Sequence, residues 1–330
     1  LAAAVLLFVL GAGLVGWSLL SGRDEATAVF FIAGLLLLGA VICLGRYVFG
    51  RPAVNASGKQ ARTIFYLARR NLSRRPGRSL AVLTTMACGV FLVTAVGLNR
   101  KTAGEDVTDR QSGTGGFVLM AESGLPVLRD LNDPAYRREL GLDGASLGSF
   151  AVVPLRVREG EDAGCLNLSR AQQPRLLGVR PEALAERGAF AFGKVLKDAV
   201  QSGQGGWELL EADLGADVVA AIGDAATVRW GLGLDVGDTI RQRDEAGRPF
   251  EIRIAGIVRE SVLQGHLLIS ESHFTERFGS TPGHRMFLID CVPEKAEALS
   301  AALTRGLRRA GLAAVSTREK LAAFNAVENT

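Results

Sequence analysis

Hydrophobic and polar positions follow three different patterns along this chain. In the first pattern, residues 1–22, 26–45 and 79–99 contain no charged side chain. A bilayer's hydrocarbon core, about 30 Å thick, takes ~20 helical residues to cross, and all three runs meet that length. A helix buried in a water-soluble core rarely runs so far without a polar face. The pattern therefore predicts transmembrane spans at 1–22 and 26–47, forming a hairpin within residues 1–50, and a third span at 79–99 with Ser79 as its N-cap.

Beyond residue 100 the pattern changes to short apolar runs separated by turn residues, which predicts a mixed α+β domain over residues 100–316. "GFVLMAE", "SFAVVPLRVRE" and "RMFLIDCV" read as strands, and "PRLLGVRPEALAERG" as a strand entering a short helix. In "GDTIRQRDEAGRPFEIRIAGIV", Phe250, Ile252 and Ile254 alternate with Glu251 and Arg253, the period-two mark of a half-buried strand. "DEAGR" before it reads as a hairpin connection, with Gly247 free to take positive φ. "PEKAEALSAALTRGLRRAG" predicts a helix with Leu299, Leu303 and Leu307 on one stripe and Gly311 as its stop. Residues 317–330 read as a helix leading towards a further span, and the chain as a piece of a longer protein.

The third pattern is electrostatic. Residues 46–78 hold nine basic side chains and no acid, whereas residues from 100 onward hold 28 basic and 32 acidic ones. The overall charge of +4 hides this asymmetry. Short basic loops stay in the cytoplasm, so residues 51–78 form a cytoplasmic basic loop, "SGRDEAT" turns outside, and the large domain is extracytoplasmic. The apolar flanks exclude nucleic acid as the partner of the arginines and point to membrane lipids. On a helix spanning 62–75, Ile64, Phe65, Leu67, Ala68 and Leu72 share one side and Arg62, Arg69, Arg70, Ser73 and Arg74 the other, as an interfacial helix would; a plain stop-transfer cluster is the simpler alternative. Arg75 and Arg78 extend the basic stretch to the span, around a Pro76–Gly77 break. Apolar residues make up 48% of the chain and charged ones 22%, a mixture that fits spans joined to a sizeable soluble domain. The fold class is thus a multi-pass α-helical membrane protein with a large mixed α+β extracytoplasmic domain.

Signals for chemistry are few. Cys165 and Cys291 lie in the exterior stretch, where oxidising conditions allow a disulfide; sequence does not show whether they are close. Residues 188–195, "GAFAFGKV", fit the spacing of a phosphate-binding loop but place Val195 where a magnesium-binding hydroxyl belongs. "GASLG" matches a nucleophile elbow around Ser146, yet a strand-like run follows instead of a helix. His266, His273 and His284, with Glu271 between the last two and the first, lack metal-ligand spacing. Ala12 and Gly16 form a small-xxx-small pair suited to seating another helix. Catalytic, cofactor and metal residues are therefore none.

One family accounts for the order of these features. "LARRNLSRRPGRSLAVLTTMACGVFLVTAV" resembles the start of an FtsX/MacB-type ABC transporter permease unit, "ATVRWGLGLDVGDTIRQRDEAGRPFEIRIAGIV" is similar to part of that family's outer domain, and "FNAVENT" resembles the stretch ahead of its next span. The resemblance covers roughly residues 60–330. It implies a MacB-like periplasmic core domain, a bacterial inner-membrane location, and a non-catalytic subunit whose ATP and Mg²⁺ sit on a separate cytoplasmic ATPase. It further implies a second permease copy or homologue, a periplasmic or outer-membrane partner, and export or release of a hydrophobic or lipoprotein-like substrate. Regulation of an extracytoplasmic cell-wall hydrolase, as in some relatives, is the alternative role. The first two spans would then close a preceding permease unit.

Overall fold

The computed structural model describes residues 1–21, 26–50, 76–98, 107–144, 146–160, 173–196, 206–215 and 217–328. The chain divides into two units, Leu1–Arg100 and Lys101–Thr330.

The first unit holds helices α1 (Ala2–Ser21), α2 (Ala26–Gly50) and α3 (Pro76–Leu98). Two stretches are long and apolar enough to cross a membrane, Val29–Val48 and Pro76–Gly97; the apolar stretch of α1, Ala2–Trp17, is shorter. Only 11% and 6% of the two long stretches is buried, whereas a helix in a soluble core is mostly covered. Small residues make the helix contacts. A Cβ on Gly11 would stand 3.0 Å from Leu37, and one on Gly34 would stand 2.5 Å from the Phe91 ring. Among the described residues the Ala12–Gly16 pair makes no such contact: Ala12 is exposed and nothing lies within 4 Å of a Cβ at Gly16. α3 also starts three residues before its expected cap. Proline suits a first helical position, where its missing N–H would find no partner anyway, so Pro76 opens the helix and Arg78 stands exposed on its first turn.

The second unit is built on a ten-stranded mixed sheet. Its strands are β1 (Leu119–Val127), β2 (Phe150–Arg158), β3 (Arg175–Val179), β4 (Phe192–Val195), β5 (Val218–Asp224), β6 (Thr239–Arg243), β7 (Pro249–Val258), β8 (His266–Ser270), β9 (His284–Cys291) and β10 (Ala313–Ser316). They run in the order β10-β1-β9-β2-β3-β8-β5-β7-β4, with β6 paired to β7. β3–β8 and β5–β7 are parallel and the other pairs antiparallel. Helices α4 (Pro134–Glu139), α5 (Pro181–Ala185), α6 (Glu271–Arg277), α7 (Ala296–Gly306) and α8 (Thr317–Glu328) complete the unit.

The sheet is covered on both faces. Successive strand residues point to opposite sides, and on β9 Met286 and Leu288 enter one apolar cluster while Phe287 and Ile289 enter another. β8 divides likewise, with Leu268 on one side and Leu267 and Ile269 on the other. This explains the unbroken run "MFLI", since a strand buried on both faces does not alternate. β7 shows both regimes. Its first half alternates beside β6, as the sequence pattern predicts, and its second half is buried between β5 and β4. The β6–β7 hairpin turns at Gly247 with φ 78°.

α7 covers the β10-β1-β9-β2 end with Leu299, Leu303 and, just past its end, Leu307. It is shorter than its sequence suggests: it ends at Gly306, and a 3₁₀ turn, Arg308–Ala310, carries the chain to Gly311 in the left-handed region. Leu303 has no exposed surface. Leu303→Ala is expected to destabilise the domain by about 2–5 kcal/mol, read from the denaturant midpoint of its unfolding.

Candidate functional site where the chain enters the domain and its last helix docks

Residues 107–117 form the entry segment, held by backbone groups from separate parts of the domain. The Phe190 amide donates to the Arg110 carbonyl at 2.7 Å, and the Val262 amide to the Gly113 carbonyl at 2.9 Å. The Gln111 side-chain amide donates to the Gly188 carbonyl at 2.7 Å. Gly115 adopts φ 62°, and a Cβ there would stand 2.6 Å from the Phe190 ring. Phe190 itself has φ 66°, an unfavourable value for a side chain with a Cβ. Its bond to Arg110 and its ring contacts with Phe117 and Trp207, at 6.2 and 6.0 Å between centroids, hold it there.

α8 docks on the same residues. Thr317, Leu321 and Asn325, four apart and so on one helix face, are 0%, 4% and 4% exposed. The Thr317 hydroxyl donates to the Phe117 carbonyl at 2.5 Å, and its amide to the Val118 carbonyl at 3.1 Å. Leu321 packs in the cluster that holds Phe117 and lies against Gly113, where a Cβ would approach it to 2.9 Å. The entry segment and the last helix therefore share one anchorage, residues 113–118.

A charge cluster flanks this anchorage. The Arg175 guanidinium pairs with Glu122 of β1 and, at 3.1 Å, with Glu159, which also pairs with Arg285 at 2.6 Å. The third Arg175 nitrogen, Nη1, reaches His266 Nε2 at 3.1 Å. His266 Nδ1 faces the carbonyls of Leu263 and Gln264 at 3.1 and 2.9 Å, so the proton sits on Nδ1 and Nε2 accepts from Arg175. Burial, and then the positive Arg175, lower the His266 pKa to about 4. Lys320 of α8 reaches the Met120 sulfur at 3.3 Å; burial pulls its pKa down, Glu122 opposes that, and Arg175 adds to it.

A second cluster centres on Glu271, in the first turn of α6, whose N-cap Ser270 accepts from the His273 amide at 3.2 Å. Glu271 pairs with His284 at 3.1 Å and Arg156 at 2.7 Å, and with Arg180 at 3.7 Å. The His284 hydrogen bond, followed by that from Arg156, outweighs burial and lowers its pKa to about 2.

The residues singled out by sequence are dispersed. Arg62, Arg69, Arg70, Arg74 and Arg75, with the interfacial helix over 62–75, lie outside the described residues, as does Cys165. Cys291 closes β9 as a free, buried thiol whose pKa is pushed up to about 11 by burial and by Asp290. Ser146 is exposed in a turn before β2. Within residues 188–195, β4 pairs antiparallel with β7 where a phosphate loop would open a helix, and Lys194 pairs with Asp235 at 2.5 Å. The three histidines go separate ways: His266 to the Arg175 cluster, His284 to Glu271, and His273 to Glu276 at 3.7 Å. Among the described residues no three His, Cys, Asp or Glu side chains are placed to hold a metal. Sequence reasoning missed Arg175 and Thr317, because their partners are distant along the chain. The i, i+4, i+8 spacing of Thr317, Leu321 and Asn325 was the available signal.

Neither a protein-family model nor a curated protein matches the sequence. Among solved structures, the chain is similar to the periplasmic region of MacB from Actinobacillus actinomycetemcomitans, at 16% identity and TM-score 0.30 over 68% of this chain and 97% of that one. It is also similar to the extracellular domain of the noncanonic ABC-type transporter YknZ from Gram-positive bacteria, at 13% identity and TM-score 0.26 over 60% of this chain and 99% of that one. At such identities and TM-scores the likeness decides nothing about function.

Acid should weaken the domain in two stages. Unfolded His266 gains its proton near pH 6.5 and the folded residue near 4, so its contribution is complete above 6.5 and is lost as pH falls towards 4. For Glu271 the corresponding values are 4.5 and about 2, so its contribution is lost as pH falls between them. The His266 stage amounts to about 3 kcal/mol, and the Glu271 stage to less, because water screens a partly exposed carboxylate. Stability measured against pH should lose its upper stage in His266→Gln and its lower stage in Glu271→Gln. Gly115→Ala, which combines positive φ with the Phe190 collision, should destabilise by about 2–4 kcal/mol, read as a lowered midpoint.

Proposed function

We propose that this chain is the permease subunit of an ABC transporter of the FtsX/MacB type. Its helices at 1–22, 26–47 and 79–99 span the bacterial inner membrane, residues 51–78 face the cytoplasm, and the α+β domain is extracytoplasmic. The excess of nine basic and no acidic residues at 46–78 supports that orientation, because short basic loops are retained inside. The chain is non-catalytic. ATP and Mg²⁺ bind a separate cytoplasmic ATPase, and a second permease copy completes the membrane portion.

The observation that carries the mechanism is the shared anchorage. The entry segment follows α3 in the chain and contains residues 113–117, and α8 is fastened to that segment and to Val118 through Thr317 and Leu321. A displacement of either connection is therefore delivered to β1 and, through its partners β9 and β10, to the sheet. Energy enters through differential contact of the membrane portion with the two nucleotide states of the ATPase. The domain's change of posture then moves a hydrophobic or lipoprotein-like substrate on the far side of the membrane.

Topology provides the test. Ala246, exposed at the tip of the β6–β7 hairpin, suits an introduced cysteine. Ala246→Cys in the full chain should react with an impermeant thiol reagent on intact cells, above the level of the unsubstituted chain. Labelling only after permeabilisation would overturn the orientation. The full-length protein should also co-purify with an ATPase subunit, and its absence would sink the coupling.

A further inference from the structure

Beside the shared anchorage lies a cavity of about 60 Å³. Asp224, Ser261, Gln264 and Asn325 line it together with the charged Arg259 and Glu260, and it opens towards solvent beside the exposed Trp230. The first four are all buried polar residues. The far wall is rigidly built. The Asp224 carboxylate accepts from the Thr227 amide at 2.7 Å, fixing the start of the π-helical turn Ala226–Gly231, and the Thr227 hydroxyl accepts from the Gly265 amide at 2.8 Å. The Ser261 hydroxyl accepts from the Leu263 amide at 2.8 Å, which sets the loop before β8. The near wall is different. It is the end of α8, and there the Asn325 amide nitrogen, fully buried, has no hydrogen-bond partner among the described residues.

A buried carboxamide without a partner gives up the hydrogen bonds it would make in water and gains none in return. A native interior removes such a debt by placing an ordered water wherever the site is polar and large enough. One water needs roughly 10–15 Å³ of space measured in this way, and occupies about 30 Å³ in the liquid. The cavity exceeds the first figure several-fold, so it has room for water. Its walls offer an amide donor, a carboxylate, a hydroxyl and a second carboxamide, enough for the two to four bonds that a buried water makes.

We propose that this cavity is a hydration site: ordered water joins Asn325 of α8 to the wall formed by Asp224, Ser261 and Gln264. The last turns of α8 are then seated through exchangeable water, while Thr317 and Leu321 hold its first turns by direct bonds and apolar packing. The helix thus has a fixed end and an end that can slip without exposing apolar core. This inference concerns the socket alone and holds whether or not the chain is a permease.

Hydrogen–deuterium exchange on the full chain in detergent separates the wet socket from a dry one through two substitutions at one position. In a wet socket, Asn325→Leu removes the bonds to water and sets a methyl group against a carboxylate, so protection of the 317–328 peptide should fall by about tenfold. Asn325→Ser keeps a polar contact and admits one more water, so its protection should stay within about threefold of the unsubstituted chain. In a dry socket the order reverses: Leu replaces an unsatisfied group and raises protection, whereas Ser enlarges a void and lowers it. That reversal, or equal protection in all three proteins, would overturn the proposal. Unchanged exchange in β9 serves as the check that each variant is folded.

Discussion

Thr317 ties two distant parts of the chain together. Its hydroxyl and amide reach the carbonyls of Phe117 and Val118, the last residues before the first strand. With no exposed surface at Thr317, water does not compete for these bonds. Four residues on, Leu321 presses on Gly113, a position where any side chain would collide with it. The entry segment is therefore fixed by the last helix as much as by the sheet. Phe190 shows the tension in this arrangement: its unfavourable backbone angle persists because Arg110 and two aromatic rings leave it no alternative.

The same anchorage explains where the charge clusters lie. Glu122 belongs to β1, Arg175 to β3, His266 to β8 and Lys320 to α8, so a single cluster bridges the sheet and the docked helix. Half-buried ion pairs contribute modestly to stability, because desolvation offsets much of the attraction. Their geometric effect is larger: a guanidinium shared between two carboxylates and an imidazole joins three strands, β1, β3 and β8, and the residue after β2. His266 is held neutral there first by its burial away from water and then by Arg175, which a proton on Nε2 would face.

Much of this fold can be read in the sequence, and its gaps have physical causes. The alternation at Phe250, Ile252 and Ile254 marks β7 because half of that strand has one open face. The Leu299–Leu303–Leu307 stripe marks α7 because one side of that helix meets the sheet. β5, "VVAAIGD", and β8, "HLLIS", carry no such period: both are interior strands covered on two faces, and short apolar runs do not separate strand from helix. β10 is a four-residue edge whose exposed side looks like loop. Pro76 misleads in the opposite direction, since the residue that breaks a helix interior is well suited to begin one. At the anchorage, sequence supplies the helix and the glycine-rich loop but not their meeting, because the bond from Thr317 to Phe117 crosses 200 residues.

Three tryptophans, Trp17, Trp207 and Trp230, occupy contrasting surroundings. Trp207 is sealed in the core with its indole nitrogen donating to the Ala189 carbonyl at 2.7 Å, whereas Trp230 is 76% exposed on the π-helical turn. Indole emission shifts to longer wavelength in water, so Trp230 supplies the red edge of the domain's fluorescence and Trp207 the blue. A collisional quencher in solution reaches the former and spares the latter. The protein thus carries its own optical gauge beside the seat of its last helix, readable without any attached dye.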